Sequence, residues 1–251
     1  MGIFKAGNPA FNEKTISQVI VHDGQEVMTV GGAMKKFGIM LIMLLGAASY
    51  TWSLYFQNYK VMPIAMGSAF AGFIVAMIII FKKSWSPYLA LGYALLEGLF
   101  LGAISAVFED AYGKAMPGIV LQAVMLTFGV AISMYALYYF RILQATATFK
   151  KVVIGATMAI ALFYVVAMVM NLFGAQMPYL HSNGLVGIGI SIFIVAVAAL
   201  NLIMDFDLIE QGAAQGAPKY FEWYSAFGLM VTIVWLYLEI LRLLSKFASR
   251  K

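Results

Sequence analysis

Long apolar segments alternate with short polar segments along almost the whole chain. A membrane-spanning helix needs about 20 mainly apolar residues. Seven segments meet this criterion, namely 37–56, 62–81, 88–108, 118–140, 152–173, 184–204 and 223–244. Proline, glycine, asparagine and charged residues punctuate the breaks between them, and aromatic residues flank several ends, as in an interfacial belt. The pattern predicts an all-α integral membrane protein with seven transmembrane helices.

The segment before the first apolar run is polar and mixed in charge. It lacks the basic-then-apolar layout of a signal peptide. We therefore predict a polar N-terminal tail over residues 1–36 and a seven-helix transmembrane domain over residues 37–247. The expected architecture is a helix bundle with the last helix central. Gly98 and Gly102 place small residues on one face of the third helix, where another backbone can approach closely.

Composition narrows the possible functions. The chain is 63% hydrophobic and 11% charged over 251 residues, whereas a soluble domain carries about 25% charged residues. It has no cysteine, which excludes disulfides, thiolate metal sites and cysteine nucleophiles. His22 and His181 lie outside the long apolar runs, so neither a histidine metal site nor a Ser–His pair is predicted. We therefore predict no resident cofactor.

The net charge of +5 follows membrane topology and gives no sign of nucleic-acid binding. Lysines occur as pairs at the ends of apolar segments, and no basic run is interleaved with stacking aromatic residues. The basic residues concentrate in the N-terminal tail and in alternate loops, which predicts a cytoplasmic N-terminus by the positive-inside rule. Seven crossings would place the C-terminus outside, although it is basic. Either the last helix resists the rule or one segment is re-entrant.

Acidic residues inside the apolar segments are the candidates for function, because a charge at the bilayer centre is costly and normally faces a cavity or a partner. Glu97 lies well inside the third helix and Glu239 well inside the seventh. Arg242 is the local partner of Glu239 by spacing, but it is nearer the helix end and can snorkel to the interface. Asp205 and Asp207 close the sixth helix and point about 200° apart, so at most one of them faces the core directly.

The seven-helix plan, the acidic segment from Met204 to Ile209 and the final Leu236-Tyr237-Leu238-Glu239 segment resemble the Bax inhibitor-1 family, which includes YccA-like bacterial proteins. The resemblance covers roughly residues 35–247. At the last position of the final motif the family usually has Asp, and this chain has Glu239. Some relatives also place an Arg in the second helix, whereas residues 64–80 contain none.

The resemblance implies a pH-sensitive cation leak channel, with calcium as the expected ion, in which two acidic residues share a proton. Carried over by motif, the pair would be Asp207 and Glu239, with Asp205 as the rival in the sixth helix and Glu97 as a third membrane acid. Carboxyl oxygens are suitable ligands for Ca²⁺, so Asp207 and Glu239 are also the expected transient Ca²⁺ contacts. The expected location is a bacterial inner membrane.

Two other classes of function compete with the channel. A non-conducting regulatory protein would use the acids only for stability and would contact a membrane protein partner, such as a membrane protease. An intramembrane aspartyl protease also needs two acids that share a proton, but a Gly-x-Gly-Asp step is missing and one acid is Glu239. We therefore predict that the protein is not an enzyme and that its partners are the lipid bilayer, cations and a membrane protein.

Overall fold

The computed structural model describes residues 26–174 and 184–250. Most of the predicted N-terminal tail, together with His22 and His181, lies outside the described residues. The predictions made for those residues therefore stay predictions.

Seven long helices account for nearly all of the described chain. They are α1 (Val30–Phe56), α2 (Met62–Phe81), α3 (Ser86–Tyr112), α4 (Ile119–Tyr139), α5 (Ala147–Leu172), α6 (Leu185–Ala214) and α7 (Phe221–Ala248), and a short 3₁₀ helix, Lys83–Trp85, precedes α3. All seven are long and apolar enough to cross a membrane. The predicted all-α membrane fold with seven transmembrane helices is confirmed.

Five of the seven helices extend beyond the predicted apolar segments, and α1 and α6 do so by the most residues. α1 begins at Val30 because the Thr29 hydroxyl caps its first turn and accepts a hydrogen bond of 2.9 Å from the Gly32 amide. The predicted start at residue 37 was too late. α6 continues to Ala214, so Asp205 and Asp207 lie inside this helix. The prediction that they close it is wrong. Hydropathy locates the apolar core of a helix but not its polar, protein-packed ends.

The chain divides into two compact units. The first comprises Met1–Val107 and Asp205–Val231. Within it, α1 and α3 approach closely, because a Cβ added at Gly98 would collide with the Leu44 carbonyl and one at Gly102 with the Ala48 carbonyl. This close contact is what the spacing of Gly98 and Gly102 predicted.

The second unit comprises Phe108–Met204 and Thr232–Lys251. Its apolar core includes Ile160, Ile194 and Val197, against which Trp235 packs. At the end of α3, the Glu109 carboxylate accepts hydrogen bonds of 3.0 Å from the Gly118 amide and 3.1 Å from the Val120 amide. Glu109, which the sequence placed in a loop, therefore caps the start of α4.

The last helix is the most buried of the seven. In the most apolar 18-residue stretch of α7, 61% of the residues are buried, compared with 17–50% in the corresponding stretches of the other helices. It also contributes residues to both compact units. The central place predicted for this helix stays a prediction.

Contacts at the helix ends bear on the topology. In the first unit, the Met28 amide donates a 2.7 Å hydrogen bond to the Ala217 carbonyl, which brings the start of α1 beside the start of α7. In the second unit, Lys246 near the end of α7 donates a 2.9 Å hydrogen bond to the Gly187 carbonyl near the start of α6. Both contacts are expected if α1 and α7 run in parallel and α6 runs antiparallel to α7. A single re-entrant segment among α1–α6 would reverse the first relation.

The basic C-terminal segment then conflicts less with the positive-inside rule than its sequence suggests. Lys246 is only 4% exposed, and Arg242 is paired with Glu239. Lys246 is therefore engaged inside the protein, and Arg242 is held in an ion pair although its side chain is 37% exposed.

We predict that the two ends of the transmembrane domain lie on opposite sides of the membrane, with the N-terminal end cytoplasmic. A cytoplasm-active reporter fused before α1 should be active, and a periplasm-requiring reporter should be active only when fused after Ala248. Activity of the periplasm-requiring reporter at the α1 end would refute the orientation. Both ends on one side would refute seven crossings.

Candidate functional site

Glu239 lies in a buried polar cluster in the second unit. Its side chain is on α7, and the residue is only 2% exposed. The Arg242 guanidinium donates hydrogen bonds of 3.0 and 3.1 Å to the two Glu239 carboxylate oxygens. The Tyr164 hydroxyl, on α5, donates a 2.7 Å hydrogen bond to Oε1 of Glu239. The carboxylate is thus both charge-paired and hydrogen-bonded, as a buried charge requires.

Arg242 stays paired with Glu239. The sequence left open whether its side chain pairs with Glu239 or snorkels to the interface, and the structure shows the pair. The Arg242 guanidinium donates a hydrogen bond to the Tyr164 hydroxyl and lies 5.2 Å from the centre of the tyrosine ring, within cation–π range. Glu239, Arg242 and Tyr164 therefore form one network, which we call the Glu239 cluster.

Tyr164 was missed by the sequence reading. Tyrosine favours membrane interfaces, where its hydroxyl can reach water. A tyrosine well inside an apolar segment, as in α5, therefore needs an internal hydrogen-bond partner. The place of Tyr164 in the middle of an apolar segment is therefore the sequence signal that could have identified it as a member of a polar cluster.

The polar face of α7 continues beyond Glu239 towards the C-terminal end of the helix. Lys246, four residues after Arg242, donates hydrogen bonds to the Gly187 carbonyl and, at 2.8 Å, to the Ser191 hydroxyl. Spacings of three and four residues place Glu239, Arg242 and Lys246 on the same face of the helix. This face carries two positive charges and one negative charge, so by itself it does not attract cations while Glu239 is paired.

The two acids of α6 differ in their surroundings. Asp205 is buried, whereas Asp207 is half-buried and accepts a 2.7 Å hydrogen bond from the Gln211 side chain one turn later. This difference agrees with their predicted orientation towards opposite faces of the helix. Asp207 belongs to the first unit and Glu239 to the second. Their predicted pairing, and the rival role of Asp205, stay predictions.

Glu97 is half-buried on α3 in the first unit. Its carboxylate lies against Gly72 of α2. A Cβ added at Gly72 would be 3.3 Å from Oε2 of Glu97. The side chain therefore packs towards a neighbouring helix. Its predicted role in an ion pathway stays a prediction.

Glu222 is a buried acid that the sequence reading missed. It lies in the first turn of α7 and is 0% exposed. Its carboxylate forms an ion pair with Lys36 of α1 and a second ion pair of 3.2 Å with Lys219. It also accepts hydrogen bonds of 2.8 Å from the Thr29 amide and 3.1 Å from the Thr29 hydroxyl. Glu222 thus joins the start of α7 to the start of α1.

The acids of the described chain do not gather into a resident metal site. Over residues 26–174 and 184–250, no group of three or more His, Cys, Asp or Glu side chains could hold a metal ion. The transient Ca²⁺ contact expected at Asp207 and Glu239 stays a prediction.

Comparison with known proteins agrees with the resemblance drawn from the sequence motifs. Residues 8–249 match the model of a family described as Bax inhibitor 1 like. No curated protein matches the sequence. Because the family match covers nearly the whole chain, this protein belongs to the Bax inhibitor-1-like family of membrane proteins.

Proposed function

We propose that the protein is a pH-sensitive cation leak channel of a bacterial inner membrane, with Ca²⁺ as the favoured ion. The observation that supports the proposal best is the Glu239 cluster, because a carboxylate buried in a membrane helix is costly unless it has a use. Family membership supports the same function. Carboxylate oxygens are hard ligands and suit Ca²⁺.

The proposed gate is a proton shared between Asp207 and Glu239. Two carboxylates close together in a low-dielectric site repel each other, so that one of them holds a proton more tightly. The pair then titrates as a unit. At low pH the shared proton joins α6 and α7 and closes the pathway. At higher pH the proton is lost, the two charges repel, the pathway opens and a cation is attracted.

Arg242 and Tyr164 are the neighbours through which the protein would act on this gate. The guanidinium and the hydroxyl both donate hydrogen bonds to the Glu239 carboxylate. A change at either residue therefore changes the surroundings of the proposed proton site. Some relatives carry an Arg on the second helix that is missing here, and the positive charge beside Glu239 is Arg242 on α7 itself.

Purified protein in liposomes tests the function directly. We expect Ca²⁺ to enter protein-containing liposomes faster than protein-free liposomes at mildly alkaline pH. Equal rates for both would exclude a channel and would favour a non-conducting regulatory protein.

Removing the partners of Glu239 should move the pH profile of Ca²⁺ flux without abolishing it. In Arg242→Gln a positive charge beside the carboxylate is lost, so the midpoint of Ca²⁺ flux should shift to higher pH. Tyr164→Phe should shift it in the same direction but less, because only one neutral hydrogen bond is lost.

Matched variants make this result specific. Arg250→Gln removes the same charge at an exposed position, and Tyr139→Phe removes a hydroxyl from a 65% exposed side chain at the end of α4. Both should keep the original midpoint. A shift to lower pH in Arg242→Gln would contradict the proposed part of Arg242.

The second candidate is a non-conducting membrane protein that regulates a partner, such as a membrane protease. The Glu239 cluster favours it in one respect, because Arg242 and Tyr164 already engage the carboxylate inside the protein. In that case the cluster only stabilises the contact between α5 and α7. The Arg242 variant would then lower thermal stability, and no variant would change Ca²⁺ flux.

A further inference from the structure

A basic groove lies between the first turns of α1 and α7 in the first unit. Its volume is about 450 Å³. The charged residues that line it are Lys35, Lys36, Lys219 and Glu222. Three positive charges and one negative charge leave a net charge of +2. A groove with an excess of positive charge favours an anionic ligand.

The lysines of the groove differ in their contacts and in their exposure. Lys36 and Lys219 both contact the Glu222 carboxylate on the groove wall, and the Lys36 side chain is largely buried there. Lys35 is exposed at the groove. Beside it, a Cβ added at Gly31 would meet no atom within 4 Å. The groove therefore offers open space next to a lysine that can approach a ligand.

The residue types around the groove suit the depth of lipid headgroups. α1 has 27 residues and is about 40 Å long, which exceeds the roughly 30 Å of the hydrocarbon core, and its first turns carry the charged residues Lys35 and Lys36, which favour the headgroup region. Trp223, an interfacial residue type, lines the groove and lies 5.6 Å from Nζ of Lys36. Ile39, also in the lining, is 47% exposed and continues the surface towards the apolar part of α1.

We propose that this groove binds an anionic phospholipid, with the phosphate beside Lys35 and Gly31 and an acyl chain along Ile39. The lysines supply charge and hydrogen-bond donors to the phosphate, as basic pockets between transmembrane helices do for anionic headgroups. The apolar continuation at Ile39 distinguishes a lipid from free phosphate. This inference is independent of the proposed channel.

Thermal unfolding of the purified full chain in a neutral detergent tests the proposal. Phosphatidylglycerol should raise the thermal midpoint in a saturable way, whereas phosphatidylcholine and inorganic phosphate should not. Lys35→Gln should raise the phosphatidylglycerol concentration needed for half the effect by about fivefold. Gly31→Glu should abolish the effect, because it adds a negative charge to the groove, although an acidic residue in the first turn suits a helix.

A control variant separates ligand binding from folding. Lys82→Gln removes a lysine whose Nζ lies 4.4 Å from the centre of the Trp85 ring, outside the groove. It should respond to phosphatidylglycerol as the original protein does. An equal response to phosphatidylcholine, an equal response to inorganic phosphate, or a full response in both Lys35→Gln and Gly31→Glu would each overturn the proposal.

Discussion

Replacing Glu222 with alanine is expected to lower the thermal midpoint of the protein by about 5–15 °C. The variant leaves Lys36 without its carboxylate and removes the acceptor for the Thr29 amide and hydroxyl. Removing one partner from a buried ion pair costs several kcal/mol, because the remaining charge is left uncompensated. The loss of free energy of unfolding should lie at the lower end of this cost, because Lys219 is partly exposed and solvent screens its charge.

Glu26 provides the matched control for this prediction. It also pairs with Lys219, at 3.9 Å, but its side chain is 82% exposed. Glu26→Ala should therefore change the free energy of unfolding by less than about 0.5 kcal/mol. Equal losses of stability in Glu222→Ala and Glu26→Ala would contradict the role given to Glu222.

Two neighbouring glycines test the same contact from the α1 side. A Cβ added at Gly32 would collide with the Glu222 carboxylate, whereas one at Gly31 would meet nothing within 4 Å. Gly32→Ala should therefore destabilise the protein. Gly31→Ala should be neutral or slightly stabilising, because alanine is the better helix former. The opposite order would show that the Glu222 carboxylate does not lie against the first turn of α1.

The replacement of Glu239 with glutamine is expected to remove the pH dependence of Ca²⁺ flux. Glutamine keeps the shape of the side chain but cannot ionise, so the repulsion that opens the proposed gate is lost. Asp207→Asn should have the same effect. The double variant should add little to either single change, because both disrupt one coupled pair.

The choice between Asp207 and Asp205 is decided in the same experiment. Family motifs favour Asp207 as the partner of Glu239, and Asp205→Asn should then alter the pH profile much less. Asp205 is the more buried of the two. A larger effect from Asp205→Asn than from Asp207→Asn would assign the partner to Asp205, and an unchanged profile in Glu239→Gln would remove the shared proton.

The helix count could be predicted from the sequence because each span is a long apolar run bounded by polar residues. The ends of α1 and α6 could not be predicted, since both helices extend into polar residues. Such residues are compatible both with a helix packed against protein and with a solvated loop. Lys35 and Lys36 look like the end of a polar tail, yet they lie inside α1. Lys36 is accommodated there by a carboxylate that is 186 residues away in the sequence.

The candidate site was predictable only in part, for a similar reason. Depth within an apolar segment identified Glu239, because a buried acid is rare and costly. It could not show that Arg242 stays beside Glu239, since that depends on Tyr164 from another helix. Glu222 escaped notice because it stands at the edge of an apolar run, next to Lys219, where acids are normally solvated.

The pH profile of Ca²⁺ flux through the unmodified protein in liposomes tests the central claim most directly. Dye-loaded liposomes of fixed lipid composition would be compared with protein-free liposomes from mildly acidic to mildly alkaline pH. The shared-proton gate predicts flux near the protein-free rate at acidic pH and a rise as the pair loses its proton. Flux that is absent at every pH, independent of pH, or highest at acidic pH would contradict it.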